Sequence, residues 1–129
     1  MYYVVDTHAL IWYLTNSKQL PAKVKQIFES VEKGKAIVVI PIIVLSEIIY
    51  IIEKKKLELK FLNLIEKIES NENYIICPLD LSILKILFNL NAIKEMHDRI
   101  IAATAQYYSA PLITKDSEIV ASKSIETFW

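Results

Sequence analysis

Short apolar runs, rich in β-branched residues, alternate along this chain with longer stretches of helical periodicity. That alternation restricts the architecture more than any other feature. Tyr3-Val4-Val5, Ala36 to Ile40, Tyr74 to Cys77, Leu112-Ile113 and Ser124 to Phe128 read as strands. His8 to Leu14 reads as a short helical stretch. Pro21 opens a helix to about Lys33, with Val24, Ile27, Phe28 and Val31 on one face, and Gly34 ends it. Further helices are expected from Pro41 to about Lys55, Leu57 to Ser70, Leu79 to Leu90 with Asp80 as N-cap, and Asp98 to Ser109. Strands alternating with helices predict an α/β fold with a mostly parallel sheet covered on both faces. At 129 residues the length suits one domain, residues 1–129, with a substantial core.

Residue counts remove several chemistries. Gly34 is the only glycine, so no Gly-rich phosphate loop is available. Cys77 is the only cysteine, so neither an internal disulfide nor a Cys-rich zinc site can form. His8 and His97 are too far apart for a zinc-binding H-E-x-x-H helix. Lys+Arg and Asp+Glu stand at 15 each, so no strong global basic field steers ligands. Carboxylates are what remain for polar chemistry.

The stretch AIVVIPIIVLSEIIYII, residues 36–52, is apolar enough to raise a membrane span. Pro41 interrupts it, and Glu47 would be costly in hydrocarbon, so a buried strand followed by a helix is expected instead. The N-terminus has no basic leader, and a lone cysteine suits a reducing cytoplasm.

In open α/β sheets ligands bind beyond the carboxyl ends of the strands. Asp6 and Asp116 fall where strands run out, and Glu47 and Asp98 lie in or at the start of helices that follow. Each has an ordinary reading: Asp6 and Asp98 as helix caps, Asp116 as a turn residue, Glu47 on a solvated helix edge. Glu47 strains that reading, because VLSEIIYII is apolar on both sides. Together, four acids at one sheet edge would repel each other unless a cation neutralised them. Mg²⁺ or Mn²⁺ suits an all-oxygen donor set and promotes phosphodiester chemistry.

The segments VVDTHALIWYL, VLSEI, HDRIIAATA and LITKDSEI, in that order and with the closing SIETFW, resemble the PIN domain family. More narrowly they resemble the VapC-type toxin ribonucleases of toxin–antitoxin pairs, and the likeness runs over essentially the whole chain. It implies a three-layer α/β/α sandwich and an acidic quartet of Asp6, Glu47, Asp98 and Asp116 around Mg²⁺ or Mn²⁺. Asp6 and Asp98 would be the principal ligands. It also implies cleavage of RNA, a small antitoxin partner and a homodimer.

Thr7 or Thr114 could support a carboxylate, or be an ordinary strand-edge threonine. Arg99, the sole arginine, could orient a carboxylate, touch phosphate or form a surface ion pair. His8 is expected as a packed structural histidine, and Glu118 as solvated surface. Lys54, Lys55, Lys56 and Lys60 are expected as a solvated helix end. Trp12, Tyr13, Tyr50, Phe61 and Leu62 offer either core packing or a partner surface. Two other functions compete: a catalytically silent RNA- or protein-binding module, and a phosphatase with Asp6 as nucleophile. The phosphatase motif D-x-D is not met, because His8 holds its second acidic position.

Overall fold

A computed structural model describes residues 1–129. The elements, in order, are β1 (Tyr2–Val5), α1 (Thr7–Leu14), α2 (Ala22–Glu32), β2 (Ile37–Pro41), α3 (Ile42–Lys55) and α4 (Phe61–Glu69). There follow β3 (Tyr74–Cys77), α5 (Leu81–Asn89), α6 (Met96–Tyr107), β4 (Leu112–Ile113), α7 (Ser117–Ser122) and β5 (Thr127–Phe128). All five strands are parallel and ordered β3-β2-β1-β4-β5. The chain builds outward from β1 through β2 to β3, then crosses back to β4 on the other side of β1. The edge beside β1 is therefore a topological switch point, where diverging connections leave a crevice.

Burial shows why the sheet must have helices on both faces. Consecutive strand residues point to opposite sides. Yet Val4 and Val5, and likewise Val38, Val39 and Ile40, are all fully buried. A sheet with one wet face would alternate instead. On this framework α6 packs across β1 and β2, and against α3, α5 and α7, while α2 lies on β2 and α4 on β3. Ala102, Ala103 and Ala105 are fully buried, and their short side chains let α6 approach its neighbours closely. Phe28 is buried beneath Tyr13, the rings stacked at 4.2 Å and 7°.

The helix expected over Leu57 to Ser70 begins only at Phe61. Lys56 turns the chain with φ +51°, and a tight turn follows in which the Leu59 amide donates to the Leu57 carbonyl at 2.9 Å. The last strand is limited to Thr127–Phe128, because the short helix α7 and a turn at Lys123 come first. No helix is long and apolar enough to cross a membrane; the apolar stretch 36–52 divides into β2 and α3 at Pro41, as its sequence implied.

Two substitutions probe this framework. Phe28→Ala should destabilise the fold by about 3–5 kcal/mol in chemical denaturation, by cavity formation and loss of the Tyr13 stack. Gly34 has φ +73°, and an added Cβ would come no nearer than 3.8 Å to Asn73. Gly34→Ala should thus cost only the backbone strain, about 1 kcal/mol.

Candidate active site

A cavity of about 550 Å³ opens at the carboxyl ends of β1 and β4. Its lining draws on distant parts of the sequence. Asp6, Thr7, His8 and Trp12 come from the β1–α1 junction, Glu47 from α3, and Glu95, Asp98 and Ile101 from the start of α6. Lys115 and Asp116 follow β4, and Trp129 follows β5. All four sequence-nominated acids, Asp6, Glu47, Asp98 and Asp116, thus share one cavity, and Thr7 shares it with them. Thr114 is fully buried, and neither it nor Arg99 reaches the lining.

Helix starts explain the convergence. Asp6 caps α1, accepting the Ala9 amide at 2.9 Å. Asp116 caps α7, accepting the Ile119 amide at 3.0 Å. It is therefore a helix cap and not the simple turn residue its surroundings suggested. Asp98 lies inside the first turn of α6, and the cap is Glu95, which accepts the Asp98 amide at 2.7 Å. Three helix N-termini therefore face the cavity, and their positive dipole ends favour anionic side chains there. Asp80 caps α5 beyond the edge strand β3, in the structural role its sequence suggested.

Hydroxyls and loop contacts hold the acids in place. Buried Thr7 donates to Glu47 at 2.8 Å, tying α1 to α3 across the cavity. Thr114 accepts the Asp116 amide at 3.1 Å. Glu118 accepts the amides of Lys94 and Glu95 at 3.0 and 3.3 Å, so it braces the loop before α6. Arg99 donates through Nε to the Ile93 carbonyl at 2.6 Å. That bond fixes the same loop; the arginine pairs with no carboxylate.

The electrostatics are those of crowded acids. Burial, followed by the charges of Asp116, Glu95, Glu47 and Asp6, pushes the Asp98 carboxyl up to about 7. Burial also raises Asp6, against the Thr114 hydroxyl and the Ala9 amide. Burial acts on Glu95 in the same sense, but the amides of Asp98 and His97 and the His97 ring outweigh it and hold Glu95 below its ordinary value. Five carboxylates line the cavity with Lys115 as the only lysine or arginine. As placed, no three of them are grouped tightly enough to clasp an ion. The donor chemistry nonetheless fits a hard divalent cation, being oxygen-only and strongly anionic.

Six lining residues are not among the site residues nominated from sequence: His8, Trp12, Glu95, Ile101, Lys115 and Trp129. The sequence pattern starts the helix at Asp98, which hides Glu95; an acid three residues upstream, in cap position, is its only signal. Lys115 adjoins Asp116 but carries no pattern of its own. Trp12 and Trp129 stand at opposite ends of the chain, and only the placement of β5 beside β4 brings them together. His8 is exposed in the cavity and tilted against Trp12 at 5.9 Å, so the packed histidine expected from sequence is not found.

The fold that carries this cavity is shared with known proteins. No curated protein sequence matches the chain. Among solved structures, VapBC2 from Rickettsia felis bound to a promoter DNA fragment is similar with a TM-score of 0.76 and 20% identity, covering 100% of this chain and 99% of that one. DNA-bound VapBC from Salmonella typhimurium is similar with a TM-score of 0.73 and 18% identity, covering 99% and 97%. FitAcB from Neisseria gonorrhoeae is similar with a TM-score of 0.70 and 19% identity, covering 98% and 96%. At these identities the likeness is one of fold. The family model of the PIN domain matches residues 3–123, nearly the whole length, and the chain belongs to the PIN domain family.

Proposed function

We propose that this protein is a metal-dependent endoribonuclease, the toxin of a toxin–antitoxin pair acting in the cytoplasm. The observation that carries the reading is the meeting of Asp6, Glu47, Asp98 and Asp116 in one cavity at the switch point of the sheet. The VapBC structures, whose fold this chain shares, support the toxin assignment.

Asp6 and Asp98 would hold the ion principally, with Glu47 and Asp116 completing the donor set. A bound Mg²⁺ or Mn²⁺ supplies Lewis-acid activation for hydrolysis of a phosphodiester. The residues around it do the positioning. Thr7 keeps one Glu47 oxygen turned toward α1, and Thr114 fixes the backbone that carries Asp116. Glu95 sets the first turn of α6 and so the place of Asp98.

Partners are proposed on the exposed apolar surface. Tyr50 on α3 and Leu62 on α4 are 60% and 78% exposed, and would meet a small antitoxin. Leu81, Leu84 and Phe88 form an exposed stripe along α5 at helical spacing, suited to a homodimer contact.

Cleavage tests the central reading. With Mg²⁺ or Mn²⁺ the protein should cut RNA, and EDTA should stop it. Asp98→Asn should lower the rate by about 100-fold or more, and Thr7→Val by about 10- to 100-fold, because Glu47 loses its donor. Unchanged RNA after long incubation with metal, with RNA binding retained, would favour a silent binding module.

Proton and metal should compete at the site. The Asp98 carboxyl titrates near 7 in the folded chain and at its ordinary 3.8 when unfolded. A raised acid favours folding below the unfolded value, and that contribution is lost as pH rises through the folded value. The metal-free protein should therefore lose thermal stability between about pH 4 and about pH 7, and Asp98→Asn should flatten the slope. Mg²⁺ should raise the melting temperature more at the higher pH, where the carboxyl is free to bind it.

A further inference from the structure

The acidic cavity has an aromatic side that metal binding does not use. Trp12 and Trp129 both line it, and they are the only tryptophans in the chain. Their ring centroids are 5.7 Å apart with planes tilted by 60°, so the two indoles are not stacked on each other. Lys115 Nζ lies over the Trp12 ring, 4.6 Å from its centroid, and His8 tilts against the same ring, so Trp129 offers the less occupied indole. Both indoles are half-buried. Neither indole N–H has a protein partner, and neither is sealed from solvent.

We propose that Trp12, Trp129 and Lys115 form a subsite that takes an unpaired nucleobase of an RNA strand, stacked on indole, with an adjoining phosphate on the lysine. The proposal rests on the nuclease reading and names how that site would hold its substrate. Its physical basis is a conflict within the cavity. A phosphate chain entering a pocket with five carboxylates is repelled, and a chain of zero net charge offers no general field to offset this. Base stacking is indifferent to charge sign, so it can contribute affinity where phosphate contacts are opposed. Lys115 supplies the one local positive charge from a lysine or arginine. Since an indole must reach the face of a base, the subsite selects unpaired strands over duplex, and tolerates any of the four bases.

The composition provides a direct probe, because all intrinsic tryptophan emission comes from this cavity. Full-length Asp98→Asn protein with Mg²⁺ is titrated with a short single-stranded RNA, a duplex of the same sequence, and an abasic ribose-phosphate strand of equal length. The single strand should quench emission saturably. The duplex and the abasic strand should bind about 10-fold more weakly, with little quenching. In cleavage by otherwise wild-type protein, Trp129→Leu should raise KM about 10-fold with kcat little changed, and Trp129→Phe should restore KM. Circular dichroism checks that both variants fold, and Lys115→Met gives an independent variant with the same expected direction in KM.

Equal binding of abasic and normal strands, or absence of quenching, overturns the subsite even if RNA is cut; the nuclease reading then stands alone. Base-dependent quenching without any cleavage by the wild type supports the subsite and removes the nuclease reading.

Discussion

Repulsion among carboxylates is the constraint around which this end of the molecule is built. The parallel order β3-β2-β1-β4-β5 sets β1 between two neighbours whose connections run in opposite directions. Whatever follows β1 and β4 must share the crevice, and here Asp6 and Asp116 do so. The helices α3 and α6 add Glu47 and Asp98 to the same space. Burial first, and then the charges of the neighbouring acids, push the Asp98 carboxyl up to about 7. Three helix N-termini offset part of the cost, since their unpaired amides face the acids.

Capping and ligation are not alternatives for these residues. A carboxylate has two oxygens, and a cap occupies one. Asp6 Oδ1 takes the Ala9 amide, and Asp116 Oδ1 takes the Ile119 amide. Local sequence can only ask whether an aspartate caps its helix, and here the answer says nothing against a second role. The contacts behind the acids follow the same economy. Thr7 orients Glu47 by its hydroxyl, while Glu118 and Arg99 act only on backbone atoms of residues 93–95, from outside the cavity. Rigid support of this kind keeps charged groups at fixed separation, and electrostatic chemistry depends on that separation.

Much of the fold is legible in the sequence because burial on both sheet faces leaves continuous apolar runs. Tyr74–Cys77 and Leu112–Ile113 coincide with their expected strands, and the amphipathic pattern of Val24, Ile27, Phe28 and Val31 gives α2 to within a residue or two. Legibility fails where periodicity is short or ambiguous. Six residues of α7 are too few to show a helical period. Leu57 and Leu59 satisfy a helical count with Phe61 and Leu64, yet the left-handed residue Lys56 and the tight turn from Leu57 to Leu59 keep them out of the helix. For the site, the quartet was readable because rare acids stood at strand ends and in apolar surroundings. Glu95 was not, since its role depends on where α6 begins. Trp12 and Trp129 were not, because no local pattern records that the two ends of the chain meet.

The neutrality of the chain bears on how such a cavity could meet a polyanion at all. A protein with an acidic centre and a strongly basic surround can gather nucleic acid by long-range attraction and then orient it. With 15 cationic and 15 anionic side chains, this one lacks that surplus. Binding must then come from short-range contacts that survive an unfavourable local potential, or from neutralisation of the acids themselves. A divalent ion held as proposed would accomplish the second, converting the carboxylates from a barrier into an anchor for phosphate. The indoles and Lys115 offer the first at the adjoining wall. In the proposed nuclease the two devices would be complementary in range: the ion would act on the scissile phosphate, and the aromatic wall on a neighbouring base that carries no charge. A site organised in this way would gain little from added surface lysines, whose contacts are screened by salt, and much from the geometry of a few residues around one cavity.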